Sequence, residues 1–170
     1  MIQLALGNSY YFGPTPADWA SAGNYLKPYA DRVSVVVTTN ITKSSYYLGR
    51  FHYAINKNIV FEMLNGEEFG LDPRTGLPAI STIDSLRLIR NCYSSGLFVG
   101  ELSEWKFPTR IDSPSADFLS ANSERIKLPQ EWNIIAFEWK SPERPKSQEC
   151  SALLSAHFKA NGETLLPNGK

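Results

Sequence analysis

Several absences narrow the field before any motif is read. The 170-residue chain has no net charge, with 17 basic against 17 acidic side chains. A protein that binds duplex nucleic acid usually carries a basic surplus to neutralise phosphates, so bulk nucleic-acid binding is not expected. Long apolar runs are missing; none approaches the roughly 18 residues that span a bilayer. The start, MIQLALGNSYYFG, lacks the basic n-region of a signal peptide. The sequence therefore predicts no membrane partner and a cytoplasmic location. Cysteine is scarce: Cys92 and Cys150 are the only two. Two thiols far apart in sequence are not a disulfide framework, and both are expected reduced. The 2 histidines, His52 and His157, are isolated like the cysteines and give no zinc spacing. No metal and no cofactor is expected. Neither a P-loop nor a G-x-S-x-G elbow occurs.

What remains is ordinary globular composition, 42% hydrophobic and 20% charged. It fits one domain over residues 1–170, with the turn-rich 161–170 as a flexible tail. Aromatics are plentiful at 12%, and exposed aromatics are what interfaces prefer.

Periodicity gives a coarse element order. "IQLAL" reads as a strand. "TPADWASAGNYL" reads as a helix capped by Thr15, with Trp19, Ala22 and Leu26 on its buried stripe and Pro28 ending it. "RVSVVVTTNI" is a β-branched central strand. "YYLGRFHYAI" and "IVFEML" form a hairpin about "NKN", which sets His52 opposite Glu62. "STIDSLRLIRNCY" is a helix capped by Ser81 or Thr82, with Leu86, Ile89 and Tyr93 inward. "LFVGELSEWKF" is a strand, "PSADFLSANSERIKL" a helix capped by Ser115, and "EWNIIAFEWK" and "SALLSAHFKA" are strands. The order β-α-β-β-β-α-β-(α)-β-β predicts an α+β fold. It has a single mixed or mainly antiparallel sheet of about six to seven strands, covered by two or three helices.

The densest chemistry lies in "NGEEFGLDPRTGLPAI", Asn65 to Ile80. Glu67, Glu68 and Asp72, with Glu62 just before them, form an acidic group with no intervening cation. Such a group suits a hard cation, an acidic recognition surface or a solvated loop, and a long ordered loop is often functional. "GEEF" and "DPRTGLP" resemble pieces of diguanylate cyclase signatures. They stand in the reverse of that family's order and without its doublet glycine, so nothing of that family is carried over. "FGLDPRTGLPAISTIDSLRLIR" is similar in element order to the acetyltransferases of the GNAT superfamily. There a turn and helix N-terminus hold the pyrophosphate of acyl-coenzyme A. The resemblance implies Arg74 and Gly76 as turn residues, but Pro78 removes an N–H that a phosphate would need.

Among general-base candidates His52 stands first, oriented by Glu62. Glu101 and Glu104, three apart in one strand, should point to opposite faces and not act as a pair. Glu101 would need a buried partner, Arg87 or Arg110. Trp132 and Trp139 should lie on opposite sheet faces. The expectation is a small non-catalytic inhibitor of the immunity-protein kind, capping another protein that bears a basic patch. Glu67, Glu68 and Asp72 would steer association, and Tyr46 and Tyr47 would anchor it. The alternative is an enzyme, a GNAT-like acyltransferase or small hydrolase, using His52, Glu62 and Arg74.

Overall fold

The structure, a computed structural model, describes residues 16–56, 69–71, 78–106, 110–141 and 150. Helix α1 (Trp19–Arg32) leads into β1 (Val35–Thr38), then α2 (Ile41–Leu48) and β2 (Tyr53–Ile55). Strands β3 (Phe69–Leu71) and β4 (Pro78–Ile80) precede α3 (Ile83–Cys92) and β5 (Ser95–Glu101). Helices α4 (Leu102–Lys106) and α5 (Ser113–Asn122) are followed by β6 (Glu124–Arg125), a 3-10 turn (Gln130–Trp132) and β7 (Ile134–Lys140).

The chain is α+β with a single mixed sheet in the order β3-β4-β2-β1-β5-β7-β6. Its centre, β4-β2-β1-β5, is parallel. The flanks, β3 on one side and β7 with β6 on the other, are antiparallel. Strand β1 is central, as its run of valines predicts, because a strand covered on both faces has no polar side to show. Val36, Leu97, Val99, Ile134 and Ala136 face α1 and α2. Val35, Val37, Phe98, Ile135, Phe137 and Trp139 face α3 and α5. Both faces of the sheet are therefore helix-covered.

Local chemistry explains where the helices begin. Asp18, not Thr15, caps α1: its carboxylate accepts the Ser21 amide at 3.0 Å. The Trp19, Ala22 and Leu26 stripe is buried as expected. Pro28 does not end the helix, which continues to Arg32, and Pro28 itself is exposed. Thr82 caps α3, and Leu86 and Ile89 are fully buried beneath it. Asp112, not Ser115, caps α5 at 3.0 Å.

The hairpin expected over 47–64 is overturned where the chain is described. Tyr46 to Leu48 are helical, closed by Gly49 with φ 75°, a left-handed backbone that glycine adopts without strain. β2 pairs parallel with β1, so the connection between them is a helical crossover. Residues 57–68, including Glu62, lie outside the described residues, as do "IQLAL" and all of "SALLSAHFKA" after its neighbour Cys150. The stretch 65–80 is not one long loop: Phe69–Leu71 and Pro78–Ile80 pair as antiparallel strands. The two cysteines are not free thiols. Cys92 at the end of α3 and Cys150 form a disulfide, with a Cα–Cα distance of 5.2 Å. Trp139 is core at 2% exposed, whereas Trp132 lies in the 3-10 turn and packs on the α1 side. No helix among the described residues is long and apolar enough to cross a membrane.

Candidate functional site

The residues proposed from sequence do not converge among the described residues. Glu62, Glu67, Glu68, Asp72 and Arg74 lie outside them. Tyr46 is 81% exposed on α2 and meets Tyr47 edge-on, with ring centroids 4.8 Å apart. Tyr47 is half-buried, and its Cβ packs where a Cβ on Gly23 of α1 would sit.

His52 is a fastener between β1 and β2. Its backbone N–H donates to the Val36 carbonyl at 2.9 Å, and its Nδ1 accepts the Val36 N–H at 2.9 Å. A backbone amide can only donate, so Nδ1 is bare and the neutral ring carries its proton on Nε2. Arg50 Nη2, 3.1 Å from Nε2, then faces an N–H rather than an acceptor. Burial first, and the Arg50 charge second, push His52 down to about 4 from 6.5. The unfolded ring takes its proton near pH 6.5 and the folded ring only near 4, so the unfolded state binds more protons between them. His52 thus adds stability that is complete above about pH 6.5 and lost as pH falls toward 4. His52→Asn, whose carbonyl can accept the same amide, should flatten the acid limb of a Tm-versus-pH curve across this window. An unchanged limb would contradict the assignment.

The denser polar group lies elsewhere, at the carboxyl ends of β1 and β5. From β1 the chain moves outward through α2 to β2. From β4 it returns through α3, on the other face, to β5 on β1's far side. The adjacent strands β1 and β5 thus mark a topological switch point, where open parallel sheets form a crevice beyond their carboxyl ends. Thr38 ends β1, with Thr39 and Asn40 following it, and Gly100 and Glu101 end β5.

Asn40 is the N-cap of α2, its Oδ1 accepting the Lys43 amide at 3.1 Å. Its Nδ2 donates to Glu101 Oε1 at 3.2 Å, and Trp19 Nε1 donates to the same oxygen at 3.0 Å. Two donors thus occupy Oε1 and fix the carboxylate, while Oε2 makes no hydrogen bond among the described residues. Glu104 is 9% exposed and pairs with Arg110 Nε at 2.8 Å. Arg110 Nη1 also donates to the Thr39 carbonyl at 2.8 Å. Burial lifts the Glu104 carboxyl above the ordinary glutamate range, and the Glu101 charge adds to it. The Thr39 hydroxyl and the Arg110 guanidinium pull the other way without cancelling the rise. That hydroxyl is near enough to favour the charged form, yet neither Thr39 Oγ1 nor Glu104 Oε2 makes a hydrogen bond of good geometry.

Glu101 and Glu104 do not share one strand: β5 ends at Glu101, and Glu104 lies in the helix that follows. Arg110 was a correct partner assigned to the wrong carboxylate. Arg87 instead pairs with Asp84 at 3.1 Å. Glu101 is thus oriented by two donors, and Glu104 nearby tends to keep its proton. Asn40 and Trp19 carried no sequence signal for this site, since the first reads as a cap and the second as core. No group of three or more His, Cys, Asp or Glu positioned for a metal ion occurs among the described residues. No protein-family model, curated protein or solved structure matches this chain.

Proposed function

We propose that the protein binds a small polar ligand beyond the carboxyl ends of β1 and β5, with Glu101 as the ligand-facing carboxylate. One observation carries the reading. Trp19 and Asn40 both donate to Glu101 Oε1, which orients the carboxylate and leaves Oε2 with no hydrogen bond among the described residues. In this reading the small-hydrolase alternative passes from His52, Glu62 and Arg74 to Glu101, which would serve as the base. Glu101→Gln keeps an acceptor for Trp19 and Asn40, so the fold should survive. A panel of polar metabolites screened by thermal shift should yield ligands that raise the Tm of the wild type by several degrees and that of Glu101→Gln hardly at all. Ligands that stabilise both equally would remove the support.

A second reading, a protein that occludes a partner bearing a basic patch, is favoured by Tyr46. A tyrosine 81% exposed on a helix is the kind of rigid anchor that interfaces bury. Glu67, Glu68 and Asp72 would supply the complementary charge. In affinity capture, Glu67→Lys with Glu68→Lys and Tyr46→Ala should each lose the partner without a change in Tm. Retention at wild-type yield by both would end this reading. The inhibitor, immunity-type and cytoplasmic assignments belong to it. The Cys92–Cys150 disulfide weighs toward an oxidising compartment instead.

A further inference from the structure

We infer that the groove between α4 and the chain after β6 binds a small organic acid, an apolar body ending in a carboxylate. The inference is independent of the Glu101 reading, because Leu102 lines this groove and Glu101 does not. The groove follows from how the sheet is finished. Strand β6 spans only Glu124–Arg125 and pairs with β7 at Glu138 and Phe137. One further bond, from the Ile126 amide to the Ala136 carbonyl at 3.0 Å, extends that edge. The first residues of β7, Ile134 and Ile135, therefore have no strand beside them on that side among the described residues. Pro129 then leads the chain into the 3-10 turn instead of along β7. From the other side, α4 sets Trp105 against Phe137, with ring centroids 5.1 Å apart. A hollow of about 440 Å³ is left between the two segments.

Its lining has two characters. Leu102, Trp105 and Leu128 are half-buried and reach the groove, together with the buried Ile134 and Ile135. The cations Lys106 and Arg125 also line it, and both are exposed. Neither cationic side chain makes a hydrogen bond or an ion pair among the described residues. No carboxylate among the described residues lines the groove; Glu131 belongs to the adjoining hollow, with Lys106 and Gln130. A neutral apolar ligand would leave both charges unanswered. A bare anion would leave the indole and the leucines wet. An acid with an apolar body answers both, its carboxylate taking charge-assisted hydrogen bonds from Arg125 and Lys106 while its body covers Trp105. The volume lies in the range of small-molecule sites, about 300–1,000 Å³, so the occupant is a free small acid and not a docked protein.

Trp105 supplies a built-in reporter, because its ring lines the groove. Its indole resonance, assigned by side-chain-to-backbone correlation among the 4 tryptophans, should be followed in nitrogen–proton NMR spectra. The titrants are phenylpropionate, the uncharged phenylpropionamide and acetate. Phenylpropionate is expected to move the Trp105 signal saturably. The amide should bind about tenfold more weakly, since it lacks the charge that Arg125 and Lys106 meet. Acetate, an anion without a body, should leave the signal in place. Arg125→Gln with Lys106→Gln should weaken the acid about tenfold and leave the amide unchanged. The Tm of this variant should match the wild type, because both side chains are exposed. Equal affinity for acid and amide, or wild-type affinity of the double variant for the acid, would overturn the assignment. So would acetate moving the signal as the acid does, which marks an adventitious ion only, or no saturable shift with any titrant up to the solubility limit. Glu101→Gln should bind the acid as the wild type does, so a failure here leaves the Glu101 reading in place.

Discussion

Removing the Cys92–Cys150 bond, by Cys92→Ala with Cys150→Ala, should lower stability by about 4 kcal/mol. The bond joins residues separated by 58 positions, and closing a loop of that size removes much of the unfolded chain's freedom. It ties Cys150 to the last turn of α3, so the crossover helix that delivers β5 is held at its end. Urea unfolding with and without reductant measures the effect. The wild type should drop to the level of the double variant when reduced, and the double variant should not respond. A loss below about 1 kcal/mol, or equal sensitivity of both proteins to reductant, would show that the bond does not constrain the chain. Counting free thiols in protein isolated without reductant also tests the location, because the expected cytoplasm would leave both reduced.

Gly96→Ala should be nearly as damaging, at about 3 kcal/mol. Gly96 lies in β5 opposite Trp139 of β7, and a Cβ there would overlap the Trp139 indole. The indole is 2% exposed and held in the core beside α3 and α5, so it has nowhere to retreat. A smaller residue at 139 should recover part of the loss: Gly96→Ala with Trp139→Leu should be more stable than Trp139→Leu and Gly96→Ala combined additively. Denaturant midpoints of the four proteins make the test. Strict additivity would mean that the two sites do not touch.

The elements with strong periodicity were legible in the sequence. The α1 stripe of Trp19, Ala22 and Leu26, the α3 pair Leu86 and Ile89, the valines of β1 and the run ending at Trp139 all report burial directly, because burial is what sets their pattern. The α+β class and the single mixed sheet follow from their order. What failed did so for identifiable reasons. "YYL" is rich in β-formers yet helical, since Asn40 caps the helix, Gly49 closes it, and Leu48 is buried in the core shared with α1. Gly23 reads as a weak point in a helix, but it is where α1 lets Tyr47 approach. The parallel pairing of β1 with β2 and β5 is a long-range choice that no local window contains. The polar group at the switch point was hidden for the same reason. Trp19, Asn40, Glu101 and Arg110 belong to four separate segments, and only the strand order brings them to one edge. Within that group the strand stops at Glu101, short of the end of the run "LFVGELSEWKF", and Glu104 belongs to a helix that strand periodicity does not suggest.

Soaking crystals with a library of small polar fragments tests the central claim most directly. Fragments are expected to cluster beyond the ends of β1 and β5, donating to Glu101 Oε2. The cluster should disappear in crystals of Glu101→Leu. Fragments gathered instead at Tyr46 or another surface, with that edge left empty at full occupancy elsewhere, would contradict it.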